Sequence, residues 1–188
     1  MNVYLDWRHP QVLAFYCRVR AFSALLLFSA PSCQKVWKGV IMHANKKSIF
    51  IKSTPEKIYA FARDPLKWGQ WYANLSETKL EKGDGGIGSV INSMYNLFGM
   101  HVPTIIEVTE DLSSPELCRW TGLIKGNITG KQTFTYTARD GGTEVEIELE
   151  YTLPAGIIGR IADKLLIEKV KDNDLVHTLE NLKAFCEG

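Results

Sequence analysis

Glu144, Glu146, Glu148 and Glu150 form the densest carboxylate pattern in the chain. Four carboxylates could hold calcium or magnesium, but alternate positions on a strand spread them along a rod and supply no loop oxygens to wrap a cation. The row therefore reads as a solvated outer face. The histidines, His9, His43, His101 and His177, have no Ser, Cys or acidic partner at a spacing that builds a nucleophile and base. His101 and His177 are the two worth testing as acid/base groups. Cys17, Cys33, Cys118 and Cys186 are spread out without a CxxC or a Cys/His pair, and read as small buried hydrophobes. No metal and no cofactor are expected. Gly83, Gly85, Gly86 and Gly88 look like a phosphate cradle, yet they lie between strands rather than before a helix N-terminus, so a turn is the better reading.

The aromatic set Trp68, Trp71, Tyr72, Tyr95, Trp120, Phe134 and Tyr136 is different in kind. Plain core is one reading. The other is a ligand cavity lined by apolar and aromatic groups with a few polar ones. Periodicity says which side chains would face a void, not how large it is.

The elements that must position these residues follow from pattern. Lys47 to Lys52 reads as a strand. Ser53-Thr54-Pro55-Glu56 is a helix start, Ile58, Phe61 and Ala62 share a helical face, and Asp64-Pro65 ends it. A second short helix runs from Leu66 to Tyr72. Strands follow at Ser89 to Leu97, Val102 to Glu110, Leu117 to Leu123, Ile128 to Ala138 and Thr143 to Thr152, each bounded by Gly, Pro, Asp or Ser. Asp140-Gly141-Gly142 tolerates positive φ and closes a hairpin between the last two. That hairpin puts Phe134, Tyr136 and Ala138 on one face with Val145, Ile147, Leu149 and Tyr151. Thr133, Thr135, Thr137 and Arg139 fall beside the glutamates on the other. The chain closes on helix-forming sequence from Ile157 to Glu187, with Leu175, Leu179, Leu182 and Cys186 in one stripe and Ile161 and Leu165 beginning another. The polar run Lys171 to Asp174 between them implies a kink or a wetter crossing. The class is α+β, a one-faced sheet covered by a long helix.

The chain has 188 residues with 22 basic and 21 acidic side chains, a net charge of +1. Such a balance gives no field for nucleic acid, and that partner is not expected. No apolar run reaches the roughly 18 residues of a membrane span, so no stable membrane insertion is expected. Residues 1–42 are unlike the rest and carry no persistent period. They read as a leader outside the fold: a translation start set upstream of Met42, a secretory signal with Ala21 to Phe28 as its apolar region, or a structural extension. The second would mean export, the first a cytoplasmic protein.

Ile49-x-Ile51-x-Ser53-x-Pro55-Glu56-Lys57-Ile58-Tyr59-Ala60-Phe61-Ala62-Arg63-Asp64-Pro65-x-x-Trp68-x-x-Trp71 resembles the opening of the polyketide cyclase/dehydrase and lipid-transport family, of the START-like, Bet v 1-like (SRPBCC) superfamily. Gly85-Gly86-x-Gly88-Ser89, Leu117-x-x-Trp120, Thr133-Phe134-Thr135-Tyr136, Asp140-Gly141-Gly142-Thr143 and Leu179 to Glu187 are similar too. The resemblance implies a helix-grip fold over residues 43–188: a seven-stranded antiparallel sheet wrapped around a long C-terminal helix, with two short helices after the first strand. It also implies an apolar ligand, such as a lipid, sterol, quinone or polyketide, held between sheet and helix.

The side chains that would face such a cavity are Ile106, Val108, Trp120, Phe134, Tyr136, Ile147, Leu149 and Tyr151 from the sheet, and Ile157, Ile161 and Leu165 from the helix. Ile106 and Val108 flank Glu107, which must point outward. Tyr95, in a strand of mixed alternation, ranks behind them. The alternatives are a cyclase or dehydratase using Tyr136, Tyr95 or His101 as acid/base, and an interaction module with a vestigial cavity.

Overall fold

The computed structural model describes residues 41–97, 99–153 and 164–188. The alternating segments form one seven-stranded antiparallel sheet from β1 (Ile41–Ile51), β2 (Leu75–Lys82), β3 (Val90–Leu97), β4 (Met100–Leu112), β5 (Leu117–Gly126), β6 (Thr129–Arg139) and β7 (Gly142–Leu153), in the order β1-β7-β6-β5-β4-β3-β2. Strands β2 to β7 pair in sequence, and β1 closes against β7. Helices α1 (Pro55–Ala62) and α2 (Trp68–Trp71) follow β1, the second entered by a 3-10 turn at Pro65–Lys67, and α3 (Lys164–Glu187) ends the chain. This is the helix-grip arrangement.

The β6–β7 register is the one alternation demands. Phe134 stands opposite Ile147 and Tyr136 opposite Val145, while Thr133 and Thr135 face Glu148 and Glu146. Gly141 takes the positive φ of the hairpin turn, +78°. On the outer face Arg139 pairs with Glu144 at 2.9 Å, and Lys46 is shared by Glu146 and Glu148 at 2.7 and 2.9 Å. The glutamate row is thus laced to neighbouring cations on the solvent side.

Three elements differ from the sequence expectation. Strand β1 starts at Ile41, not Lys47, because eleven-residue pairing with β7 extends it through a polar stretch that does not alternate. The Leu66 to Tyr72 helix is a 3-10 turn followed by a single α turn. Asp64 accepts a hydrogen bond from Leu66 N–H at 3.1 Å, which starts that turn as a separate element. Strand β2 has no counterpart among the expected strands. Its two apolar residues, Leu75 and Leu80, are an odd number of residues apart, and bulges between Ser76 and Lys79 and between Leu80 and Lys82 break the period. Glu77, at φ 51°, sits in the first of these bulges. Residues 1–40 and 154–163 lie outside the described residues, and with them the body of the leader, His9, Cys17, Cys33, Ile157 and Ile161.

A further bulge has the opposite value. The β4–β5 register slips between Val108 and Glu110, so Asp111 falls opposite Trp120 on the inner face. Helix α3 buries Leu175, Leu179 and Leu182, the expected stripe. It runs as one helix through Lys171 to Asp174, and the polar run is accommodated by a buried polar node rather than by a break. Its C-terminal half is tied to β1 by Lys52 N–H donating to Glu187 Oε1 (2.7 Å) and Lys183 Nζ to the Phe50 carbonyl (3.0 Å). Asn181 Nδ2 reaches the Trp71 carbonyl at 3.1 Å, and Ala73 N–H donates to Thr178 Oγ1 at 3.1 Å, fixing the helix against α2 and the residues after it.

Candidate functional site

The inner faces of the strands do not fill the space beneath them evenly. Toward the hairpin that joins β6 and β7, the interior is solid. Phe134 meets Trp71, Tyr136 and Trp120 at ring-centroid distances of 5.8, 6.2 and 6.4 Å, and Tyr136 takes the edge of Tyr59 at 5.4 Å. Trp68 contributes another edge-to-face pair with Trp120 at 5.3 Å, held by its indole N–H donating to the Ala62 carbonyl at 2.8 Å. Gly122 belongs to this packing, since a Cβ there would lie 2.6 Å from the Trp120 ring.

Toward the β3–β4 and β5–β6 turns the packing opens. A cavity of about 40 Å³ lies among Ile106, Ile124, Ile128, Leu149, Trp68 and Leu75, with Tyr72, Tyr95, Thr104, Gln132 and Tyr151 adding polar atoms. That holds a few water molecules, since one water needs roughly 10–15 Å³ by such a measure. Drug-sized ligands occupy roughly 300–1,000 Å³, so a ligand must spread the lining apart.

The polar side of this cavity is organised around Asp174 of α3, which is only 8% exposed. Tyr95 OH donates to its Oδ2, and Asn74 Nδ2 donates to its Oδ1 at 2.7 Å. Tyr72 OH donates to Gln132 Oε1 at 3.1 Å, and Thr104 Oγ1 to the Ser93 carbonyl at 3.2 Å. Burial, and then the charge of Asp174, pushes the phenols of Tyr95 and Tyr72 well above the ordinary tyrosine range. Both stay protonated at any physiological pH.

A second polar cluster lies at the solid end. The inward turn of Asp111 lets Tyr59 OH donate to its Oδ1 and Arg63 Nη2 to its Oδ2 at 2.8 Å. Burial, then the bond to Asp111, raises the Tyr59 phenol. Helix α1 and the residue that follows it are thereby fastened to β4, and the Arg63 charge is engaged by a carboxylate of the protein itself.

Of the sequence-predicted residues, Ile106, Leu149 and Tyr151 line the cavity. Val108, Trp120, Phe134, Tyr136 and Ile147 are buried on the same face but belong to the solid end. Leu165 falls in the first turn of α3. His101 is exposed, and His177 lies on the solvent side of α3 with Glu180 at 3.3 Å. Neither lines the cavity. Tyr95, ranked behind the others, lines it too, and Thr104, Ile124, Ile128, Gln132 and Leu75 line it without having been placed there. Thr104, Ile124, Gln132 and Ile128 have the inward parity of a named residue two or more positions away, Ile106, Trp120 or Phe134, so extending the alternation would have found them. The glycine turn between β2 and β3 is filled by the protein: Ser89 Oγ accepts from the N–H groups of Asp84 and Gly85 at 3.1 and 2.9 Å. Cys118 and Cys186 are free thiols, and burial raises the Cys186 thiol above its usual range.

Residues 42–187 match the family model for polyketide cyclase/dehydrase and lipid transport. The chain belongs to that family. Among solved structures, TTHA0849 from Thermus thermophilus superposes with a TM-score of 0.64 at 18% identity, over 76% of this chain and 95% of that one. The Zhui aromatase/cyclase from Streptomyces sp. R1128 gives 0.63 at 14%, over 78% and 94%. A START superfamily protein from Mycobacterium smegmatis gives 0.61 at 14%, over 77% and 97%. No curated protein matches. At these identities the structural likeness shows the START/Bet v 1-like fold alone. No helix among the described residues is long and apolar enough to cross a membrane.

Proposed function

We propose that this START-like domain binds a hydrophobic small molecule between the sheet and α3, at the end where the packing opens. The observation that carries this reading is the contrast within one interior: the aromatic rings close-pack at one end, while at the other apolar side chains surround a void bordered by buried hydroxyls. Desolvation of the ligand would supply most of the affinity, at about 25 cal/mol per Å² of apolar area. Family membership and the START-like fold support the same reading.

Native mass spectrometry of the full chain, followed by solvent extraction, tests it. The expected result is a co-purifying apolar molecule, or uptake of one from a mixed lipid and polyketide-like set. Ile128→Trp, which fills the cavity, should abolish uptake while keeping a cooperative melt. Uptake unaffected by that substitution would remove the cavity from the reading.

A cyclase or dehydratase on the same scaffold is the second reading, favoured by one feature. Tyr95 lines the cavity with its hydroxyl proton directed to the Asp174 carboxylate, so its oxygen could take a substrate proton as its own passes to Asp174. Of the acid/base candidates the geometry favours Tyr95 over Tyr136, which is enclosed in aromatic packing, and over the exposed His101. Full turnover by Tyr95→Phe on a discovered substrate would exclude Tyr95 from the chemistry.

A further inference from the structure

Trp120, Gly122 and Ile124 occupy successive inward positions of β5, and they differ in kind. Trp120 belongs to the packed rings, Ile124 lines the cavity, and Gly122 between them has no side chain. Its place is taken by its neighbours. The point where a Gly122 Cβ would stand lies 2.6 Å from Cη2 of Trp120 and 2.7 Å from Cγ2 of Ile106, which lines the cavity. The indole of Trp120 therefore leans along its own strand, over Gly122 and toward the cavity, and its six-membered ring closes the free space on that side. Trp68, itself part of the lining, meets Trp120 edge-to-face at 5.3 Å and is held by its indole N–H on the Ala62 carbonyl. Phe134, opposite Trp120 on β6, backs the pair at a centroid distance of 6.4 Å. All three rings are buried, and close-packed rings give way to added volume only at a cost.

The register measures what is left. The lining residues of the sheet fall on rungs from Gln132 and Leu149, beside Gly122, to Thr104, opposite Gly126 at the end of β5. From Gly122 to Gly126 the strand advances about 13 Å, at roughly 3.3 Å per residue. A C–C bond of about 1.5 Å advances an extended alkyl chain by roughly 1.25 Å, so about ten carbons match that span. We infer that Trp120, seated over Gly122 and braced by Trp68, is the end wall of the ligand site and sets its size class. The site takes a compact apolar molecule, a chain of about ten carbons or a ring system of similar length, rather than a long acyl chain or a sterol. This rests on the hydrophobic-ligand reading above. Without the outer ring of Trp120, the rung at Gly122 would join the cavity and lengthen it toward the aromatic end.

The test uses the full chain and a series of primary alcohols, hexan-1-ol, octan-1-ol, decan-1-ol, dodecan-1-ol and tetradecan-1-ol, each below its solubility limit, with binding read from tryptophan fluorescence. Affinity should rise about fourfold per methylene as far as decan-1-ol, the ratio that burial of one CH₂ supplies, and gain less than about twofold in total beyond it. Trp120→Phe keeps a ring near the strand but removes the atoms that stand over Gly122, and it should carry the rise on to dodecan-1-ol. An unsubstituted chain whose affinity still climbs about fourfold per methylene at tetradecan-1-ol overturns the end wall while leaving hydrophobic binding in place. Binding of none of the alcohols overturns the hydrophobic-ligand reading and this inference with it. A break that stays at decan-1-ol in Trp120→Phe overturns the assignment to Trp120, and would show instead that longer chains emerge into solvent. Should that variant lose its cooperative melt, Trp120→Met, whose flexible side chain fills the core but yields to a ligand, decides by the same shift of the break.

Discussion

At the end of the sheet nearest α1, Phe134 meets four aromatic rings within 6.4 Å, and Ile147 and Val108 are buried on the same face. At the other end Ile106 and Leu149 come from the same strands with the same inward parity, and Ile128 from the β5–β6 turn, yet they leave a void of about 40 Å³. The difference lies in what meets the sheet. Beneath α1 and α2 the sheet faces large rigid rings that interdigitate. Toward the β3–β4 turn the aromatic members other than Trp68 are tyrosines, and two of them, Tyr72 and Tyr95, direct their hydroxyls into polar bonds.

The largest effect that probes this contrast needs no substitution. Tyr59 and Tyr136 at the solid end, and Tyr72 and Tyr95 at the open end, all have phenols raised above their ordinary value. In the unfolded chain they ionise near pH 10, while the native forms keep their protons, so the unfolded state binds fewer protons at high pH. Stability is full below about pH 10 and falls as pH rises beyond it. Absorbance of phenolate should appear for these four in one cooperative unfolding step. An earlier phase abolished by Tyr95→Phe would show instead that the open end loosens alone.

Phe134→Ala should cost about 3–5 kcal/mol in urea unfolding, the range for deleting a packed aromatic ring. The same loss from Ile106→Val, for which about 0.5–1.5 kcal/mol is the ordinary range, would erase the distinction between the ends. Asp111→Ala strands both the Tyr59 hydroxyl and the Arg63 guanidinium, and should cost about 2 kcal/mol, since hydrogen bonds to charged groups contribute about 1.5–3 kcal/mol and Arg63 is partly in solvent. Ligand uptake should survive it. On the outer face, Glu148→Gln should change stability by less than about 0.5 kcal/mol, as exposed pairs do.

Faces were legible in the sequence, and depth along a face was not. The parity of Phe134, Tyr136, Ile147 and Leu149 follows from a tight hairpin and period-two alternation, and the register confirms it residue by residue. That parity says nothing about which rung of the ladder a helix or a tryptophan covers. Phe134 and Gln132 are two residues apart on one face, yet one is core and the other lines the cavity. Tyr95 was ranked low because Asn92, Ser93 and Asn96 blur the alternation of β3. Its position is explained by a partner 79 residues away, Asp174, and no local pattern carries that information. Asp111 was illegible for a related reason: a one-residue slip at Thr109 reverses which residues of β4 face inward.

The bulges of β2 have a consequence for the molecule among its copies. A seven-stranded open sheet has two edges, and any flat edge is a template onto which another chain can add a strand. Along β1, two main-chain groups, the Phe50 carbonyl and the Lys52 N–H, are already taken by α3. Along β2, the left-handed turn at Glu77 and two register slips twist the free edge out of line, with Lys79, Glu81 and Lys82 on it. The bulged and charged β2 edge therefore works against the addition of a further strand there.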